Sequence, residues 1–397
     1  MGICFFGSFR EGVWRYLLIN GLDESSLTLF LCHIIKICRF DGTCGARKTP
    51  IMNVTYRRSD DNDALFELAK KYDDANEDEK ALPILENLAD KGHAMAQSYL
   101  GMYYECGFAG LEVNIEKAFD LYLKSAEQGC ADAMVNLGDL YISGNLLSGT
   151  NYEKAIEWYE KARELGLPDA LVAIGELYRD GQGYEKDLQK AYDCFSEAFE
   201  IADEADKGTP SFLIGCLLEE TEQYEEAFEY YEQAASFGIN EALVRLGVLC
   251  HLSLGVEKNE NRAFEFFMQA YDKGVESVAR WLGDAYRYGY GTEENNDKAI
   301  QFYEEAIENG DAYAMVELGR MYLDGIGCEK SWKKAYDLFN KAAELGNDDA
   351  LEALSYFYDE GGVLENKDEL QRCLLVLEKS EDDFLRNQAK MRLERMK

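Results

Sequence analysis

Five arginines stand out as the residues best able to do chemistry. Between residues 94 and 350 the chain has seven arginines, and Arg179, Arg245, Arg280, Arg287 and Arg320 fall at related positions of one recurring motif. Asn136, His251 and Trp281 share or adjoin that register. A guanidinium makes bidentate hydrogen bonds to carboxylates and phosphates and stacks on aromatic rings. Such a cluster can clamp an acidic or phosphorylated peptide segment. The same arginines can instead form an internal lattice with Glu176, Asp284 and Glu317, and the sequence leaves both readings open.

Other chemistry finds little support. His33, His93 and His251 are the only histidines and are scattered, so no histidine metal site is expected. The eleven cysteines are odd in number, irregularly spaced and lack any CxxC pair, which argues against a zinc ribbon, a thioredoxin motif or a disulfide scaffold. The G-x-G segments at Gly181/Gly183, Gly289/Gly291 and Gly325/Gly327 have no GK[ST] and no preceding strand, so they read as turns and not as phosphate loops. No Ser/His/acid cluster is visible. The expectation is a non-enzymatic protein with no cofactor and no metal.

Charge narrows the partners. In 397 residues there are 76 Asp+Glu against 41 Lys+Arg, a formal charge of −35, which disfavours nucleic acid and anionic membranes. With 47% hydrophobic and 13% aromatic residues the chain can still bury a core. Leu27 to Phe40 is the longest apolar stretch, but His33 and Lys36 interrupt it and it is too short to span a bilayer. MGICFFGS resembles a myristoylation signal at Gly2, yet Phe6 stands where Ser or Thr is wanted.

The elements that position these residues come from a repeat. The motif A-xxx-LG-xx-Y places glycines at Gly101, Gly138, Gly175, Gly215, Gly247, Gly283 and Gly319. A second motif, (E/D)KA, has alanines at Ala81, Ala118, Ala155, Ala191, Ala227, Ala263, Ala299 and Ala335, spaced 36 or 37 apart. Four residues after each alanine stands Leu85 or an aromatic, and three further on a small residue or Leu88, which is one buried face of an amphipathic helix. Eleven residues after the alanine a glycine closes the helix in all units but one, where Ala202 replaces it. Each unit is therefore a helix A around LG, a turn, and a helix B around KA. Measured from the LG glycine, positions −3, +1 and +4 oppose the apolar stripe at −5, −1 and +3, and these, with −2, hold the arginines and their neighbours. Neither helix buries its stripe alone, so units must stack. An added helical turn in IADEADKG after the third full unit accounts for the irregular glycine spacing there.

The combined pattern A-xxx-LG-xx-Y-xx-G-x-G-xxx-D-xx-KA resembles the Sel1-like repeat, a relative of the tetratricopeptide repeat with a longer interhelical loop. Two short-turn units, Ala69 to Ala81 and Gly215 to Ala227, look like ordinary tetratricopeptide repeats. The resemblance implies an all-α, right-handed α-solenoid of antiparallel helix pairs, and an adaptor or scaffold that binds a protein or peptide in a groove lined by A helices. Charge on that face suggests an anionic or mixed-charge segment. The alternatives are a secreted effector that binds host proteins and a hydrolase of the cysteine-rich Sel1-like type, although recurring cysteine pairs are missing. The units are a short one at 63–92, seven full ones at 93–346 and a degenerate last unit with a cap at 347–397.

Residues 1–51 lie outside the repeat and carry +2, from six Lys+Arg against four Asp+Glu. They read as a targeting extension, a solenoid cap, or sequence upstream of a start at Met52, the last being favoured. The cysteine pattern places the protein in a reducing, cytoplasmic setting.

Overall fold

The computed structural model describes residues 59–144, 149–359 and 362–396, so the readings of residues 1–51 fall outside the described residues. Nineteen α-helices occur among the described residues, with no strand. Residues 59–239 and 240–396 form two compact units. The first holds α1 (Ser59–Asp74), α2 (Asp78–Asp90), α3 (Ala94–Cys106), α4 (Ile115–Ala126), α5 (Ala131–Ser143), α6 (Tyr152–Glu164), α7 (Pro168–Asp180), α8 (Leu188–Ile201), α9 (Gly208–Glu220) and α10 (Tyr224–Ser236). The second holds α11 (Glu241–Leu252), α12 (Glu260–Asp272), α13 (Ala279–Tyr288), α14 (Asn296–Glu308), α15 (Ala312–Asp324), α16 (Trp332–Glu344), α17 (Asp348–Tyr358), α18 (Lys367–Leu377) and α19 (Asp383–Met396). Odd-numbered helices are A helices and even-numbered ones B helices. Each unit is an α-solenoid of stacked helix pairs.

Local chemistry sets the helix ends. In six repeats the polar residue four before the KA alanine caps helix B: Asn114, Asn151, Asp187, Asn259, Asn295 and Ser331 each accept a hydrogen bond from the backbone N–H three residues on. Each such cap stabilises its helix by about 1 kcal/mol. Gly92, Gly129, Gly166, Gly238, Gly274, Gly310 and Gly346 close helix B with φ between 78° and 95°. Such values are left-handed conformations that cost a glycine little.

Packing then locks each pair. A Cβ placed on Gly101, Gly138, Gly175, Gly215, Gly247, Gly283 or Gly319 would fall within 2.7 Å of the ring four residues past the KA alanine of the same repeat. The LG glycine and that ring are two halves of one contact, and the aromatic sits against bare backbone. Ala118, Ala155, Ala191, Ala263, Ala299 and Ala335 are fully buried or nearly so, which lets the paired helices approach closely.

One expectation fails. The extra residues in IADEADKG do not add a helical turn. Helix α8 stops at Ile201, Ala202 is extended at φ −69° and ψ 146°, and residues 203–207 form a bend and turn before α9. Without a glycine to turn left-handed, the chain leaves the helix extended and needs these residues to return. Among the described residues no helix is long and apolar enough to cross a membrane.

Candidate functional site

The A-helix face is more closed than the helical register implies. Val172, Val244 and Val316, all at position −3, are buried, because A helices of successive repeats touch side by side within each unit. These three valines therefore fill the seam between repeats. Only residues at the rim of that seam reach solvent.

Within residues 59–239, Asn136 is half-buried on α5 and donates to Ser98 Oγ across the seam at 3.3 Å. Arg179, 11% exposed at the side chain, meets Asp180 at 2.7 Å and Glu176 at 3.6 Å. Within residues 240–396, Arg245 lies half-buried on α11. Glu317 on α15 is a hub: it accepts from Arg287 Nη1, from Arg320 Nη1 and from Tyr288 Oη at 2.9 Å. Arg287 Nη1 also donates to the Glu317 carbonyl at 3.2 Å. The lattice reading thus accounts for Arg179, Arg287 and Arg320.

Arg280 is different. Its guanidinium is sandwiched between Trp281 and Tyr313, at 4.5 and 5.0 Å from the ring centroids. Its one ion pair, to Asp311, is loose at 3.6 Å, and its Nε is buried without a hydrogen-bond acceptor. Asp311 is already engaged as the N-cap of α15, accepting from Ala314 N–H. Tyr313 is 55% exposed, so one wall of the sandwich faces solvent.

Beside it lies a small pocket of about 220 Å³ including its mouth, lined by His251, Glu260, Phe264, Phe267, Trp281, Asp284 and Tyr290. Trp281 stacks on Phe267 at 5.6 Å, and the His251 ring lies 4.9 Å from that of Tyr290. His251 Nδ1 is 2.7 Å from Glu260 Oε2. Burial raises the Asp284 carboxyl above its ordinary value, opposed by a hydrogen bond from Tyr303.

That hydrogen bond recurs. Where the ring on the LG glycine is tyrosine, its hydroxyl donates to a carboxylate on the paired A helix: Tyr122 to Glu105, Tyr159 to Asp139, Tyr231 to Glu219 and Tyr303 to Asp284, all at 2.6 or 2.7 Å. Phe195, Phe267 and Phe339 take the tyrosine's place in the other repeats, and Phe195 is the one opposite an acid in the position after the LG glycine. Its repeat still carries a carboxylate, Glu176, whose Oε1 is buried with no hydrogen-bond partner. Burial pushes the Glu176 carboxyl up to about 8.

The Sel1 repeat model matches residues 94–130, 131–167, 168–201, 240–275, 278–311 and 312–347, more than half of the chain. The chain belongs to the Sel1 repeat family. A tetratricopeptide repeat model matches residues 211–237, the short-turn pair α9 and α10. Similar solved structures include a protective antigen of uropathogenic Escherichia coli strains, at 26% identity and TM-score 0.57, covering 79% of this chain and 67% of that one. A Sel1 repeat protein from Oxalobacter formigenes is 22% identical with TM-score 0.55, covering 89% and 98%. No curated protein matches. Sel1 repeats commonly serve as protein-interaction scaffolds, and proteins built from them are generally non-enzymatic.

Several residues of this Sel1 repeat face escaped the sequence reading. Tyr313, Tyr288 and Tyr290 lie outside the chosen register positions, and Asp311 reads from sequence only as a helix start. The signal for Tyr313 was its position: an aromatic in the first turn of an A helix, one residue before the buried Ala314, projects beside the neighbouring repeat.

Proposed function

We propose that the chain is a non-enzymatic scaffold or adaptor that binds a protein segment across α13 and α15, with Arg280 as its polar anchor. The observation that carries this reading is the incomplete bonding of Arg280. Arg179, Arg287 and Arg320 are engaged by nearby carboxylates. Arg280 is instead held rigid by two aromatic faces with only a loose partner. A rigid arginine beside exposed tyrosines is the residue combination that dominates protein interfaces, because little side-chain entropy is lost on binding.

The partner this suits is a mixed-charge segment. A carboxylate or phosphate on it would complete the Arg280 fork, and an apolar or aromatic residue would cover Tyr313 and Tyr288. Binding of one isolated acidic group is a weaker fit, since Asp284, Asp311 and Glu317 surround the arginines.

Trp281 fluorescence supplies the assay. Titration with acidic, phosphorylated and charge-neutral peptides is expected to find binders whose affinity falls about tenfold or more in Arg280→Ala. Equal affinity for wild type and Arg280→Ala removes the anchor role.

A further inference from the structure

The pocket beside Arg280 plays no part in the arginine anchor. It lies wholly within residues 240–396, between α11, α12 and α13, and holds about 220 Å³ including its mouth. Drug-sized ligands occupy about 300–1,000 Å³, so this volume suits the end of one side chain. Its walls are apolar: Phe264, Phe267, Trp281 and Tyr290 line it together with two alanines. Glu260 and Asp284 add two carboxylates, His251 completes the lining, and no lysine or arginine belongs to it.

The two carboxylates differ in what they have left to offer. Both oxygens of Glu260 are taken, one by Lys258 Nζ at 2.8 Å and the other by His251 Nδ1 at 2.7 Å. Asp284 Oδ1 accepts from the Tyr303 hydroxyl at 2.6 Å, and among the described residues nothing donates to Oδ2. The cations near Asp284 are engaged elsewhere. Arg287 is held by Glu317, while Arg280 lies between Trp281 and Tyr313 with Asp311 as its ion-pair partner. Burial thus falls on a carboxylate with one open oxygen and raises it above its ordinary value. A cation on that oxygen favours the charged form and offsets the burial.

We propose that this pocket receives a lysine side chain of the partner, its methylenes against the rings and its ammonium on Asp284 Oδ2. Because the occupant belongs to the segment proposed above for α13 and α15, the lysine pocket rests on that reading. The segment then carries two charges of opposite sign, an acid for Arg280 and a lysine for Asp284. Lysine has an apolar stem with a compact charge at its tip, which ring walls and one open carboxylate oxygen accommodate. An arginine fork brings five donors to that single oxygen, and an acid is repelled by Glu260 and Asp284. The acid bound at Arg280 also neutralises the positive charge that Arg280 presents to the ammonium, so the two anchors reinforce each other. Only Trp281 separates them, since Arg280 stacks 4.5 Å from its ring centroid and the pocket uses the same ring. About two to four residues of extended chain, at about 3.3–3.6 Å each, reach past one ring and its contacts.

The test uses the full chain and peptides about ten residues long, with glutamate or phosphoserine fixed at one place and either lysine or norleucine moved through the others. Affinities are read by fluorescence anisotropy at about 0.15 M salt, where charges beyond about 8 Å are screened. Lysine is expected to bind about tenfold or more tightly than norleucine at one or two positions, about two to four residues from the acid, and Asp284→Asn is expected to remove that gain. The variant's affinity for the norleucine peptides is expected to match wild type, which shows that it is folded. A lysine gain of equal size at every position reports only the net charge of −35 and overturns the proposal. So does a gain that Asp284→Asn retains, or norleucine that binds as well as lysine throughout. The arginine anchor fails separately: acidic peptides that bind Arg280→Ala as tightly as wild type sink that reading even where the lysine gain persists, whereas an acid effect with no lysine gain sinks the pocket alone.

Discussion

Replacing Phe195 with tyrosine supplies the hydroxyl that Glu176 lacks. The ring already lies against Gly175, as the tyrosines of sister repeats lie against Gly101, Gly138, Gly215 and Gly283. In those repeats the hydroxyl reaches a carboxylate at 2.6 or 2.7 Å. Glu176 occupies the position after the LG glycine that Asp139 and Asp284 occupy in two of them. Its carboxyl is raised by burial from an ordinary 4.5 to about 8, against the attraction of Arg179. The folded protein therefore keeps a proton that the unfolded chain releases above pH 4.5. Stability from this group is complete below that value and declines as pH rises towards 8. Holding the proton at pH 7 costs about 3 kcal/mol. A hydrogen bond to the ionised form is worth about 1.5–3 kcal/mol, so Phe195→Tyr is expected to recover much of that cost at pH 8. For a unit of this size the gain is a rise in Tm of roughly 3–12 °C. At pH 5, where the carboxyl is protonated in the folded state, the gain is expected to be smaller. Circular dichroism melts of wild type, Phe195→Tyr and Glu176→Gln between pH 5 and 8 make the comparison. Both variants flatten the decline with pH, and the slope that remains belongs to Glu105, Asp139 and Asp284, whose carboxyls burial also raises, the first to about 7 and the second to about 6. A Phe195→Tyr variant less stable than wild type at pH 8, or one with an unchanged pH slope, refutes the reasoning.

Four further outcomes follow from the packing. Gly283→Ala forces a methyl within 2.6 Å of the Tyr303 ring and is expected to destabilise residues 240–396 by about 1–3 kcal/mol, read by urea denaturation. Gly310→Ala, with φ of 81° and open space around it, meets backbone strain alone and should cost about 1 kcal/mol in the same experiment. Arg287→Ala removes the better buried partner of Glu317 and should cost about 3 kcal/mol, while Arg320→Ala, 41% exposed at its side chain, should cost under about 1 kcal/mol; a double-mutant cycle with Glu317→Gln separates the two pairs. Asn295→Ala deletes the cap on Lys298 N–H and is expected to lower stability by about 1 kcal/mol, with hydrogen exchange rising first in the opening turn of α14.

Whatever recurs every 36 or 37 residues was legible before any coordinates. The helix pairs, the LG and KA faces, the left-handed glycines and the Sel1-like fold all follow from local spacing, because each repeat meets the same environment and so needs the same residue at the same step. Even the polar residue that caps helix B was visible as part of the pattern. The failure at Ala202 came where the period itself breaks.

Aperiodic polar residues depended on the tertiary structure. Arg179, Arg280, Arg287 and Arg320 take positions −3, +1 and +4 on the same face of their A helices, yet three are engaged by nearby carboxylates and one is held between aromatic rings. Which fate each meets is set by the neighbouring repeat, as when Glu317 on α15 reaches Arg287 on α13, thirty residues away in sequence. Likewise Glu176 is exceptional only because the ring facing it on α8 is phenylalanine. Spacing along one helix determines which face a side chain takes, but its partner lies on another helix, and only folding brings the two within reach.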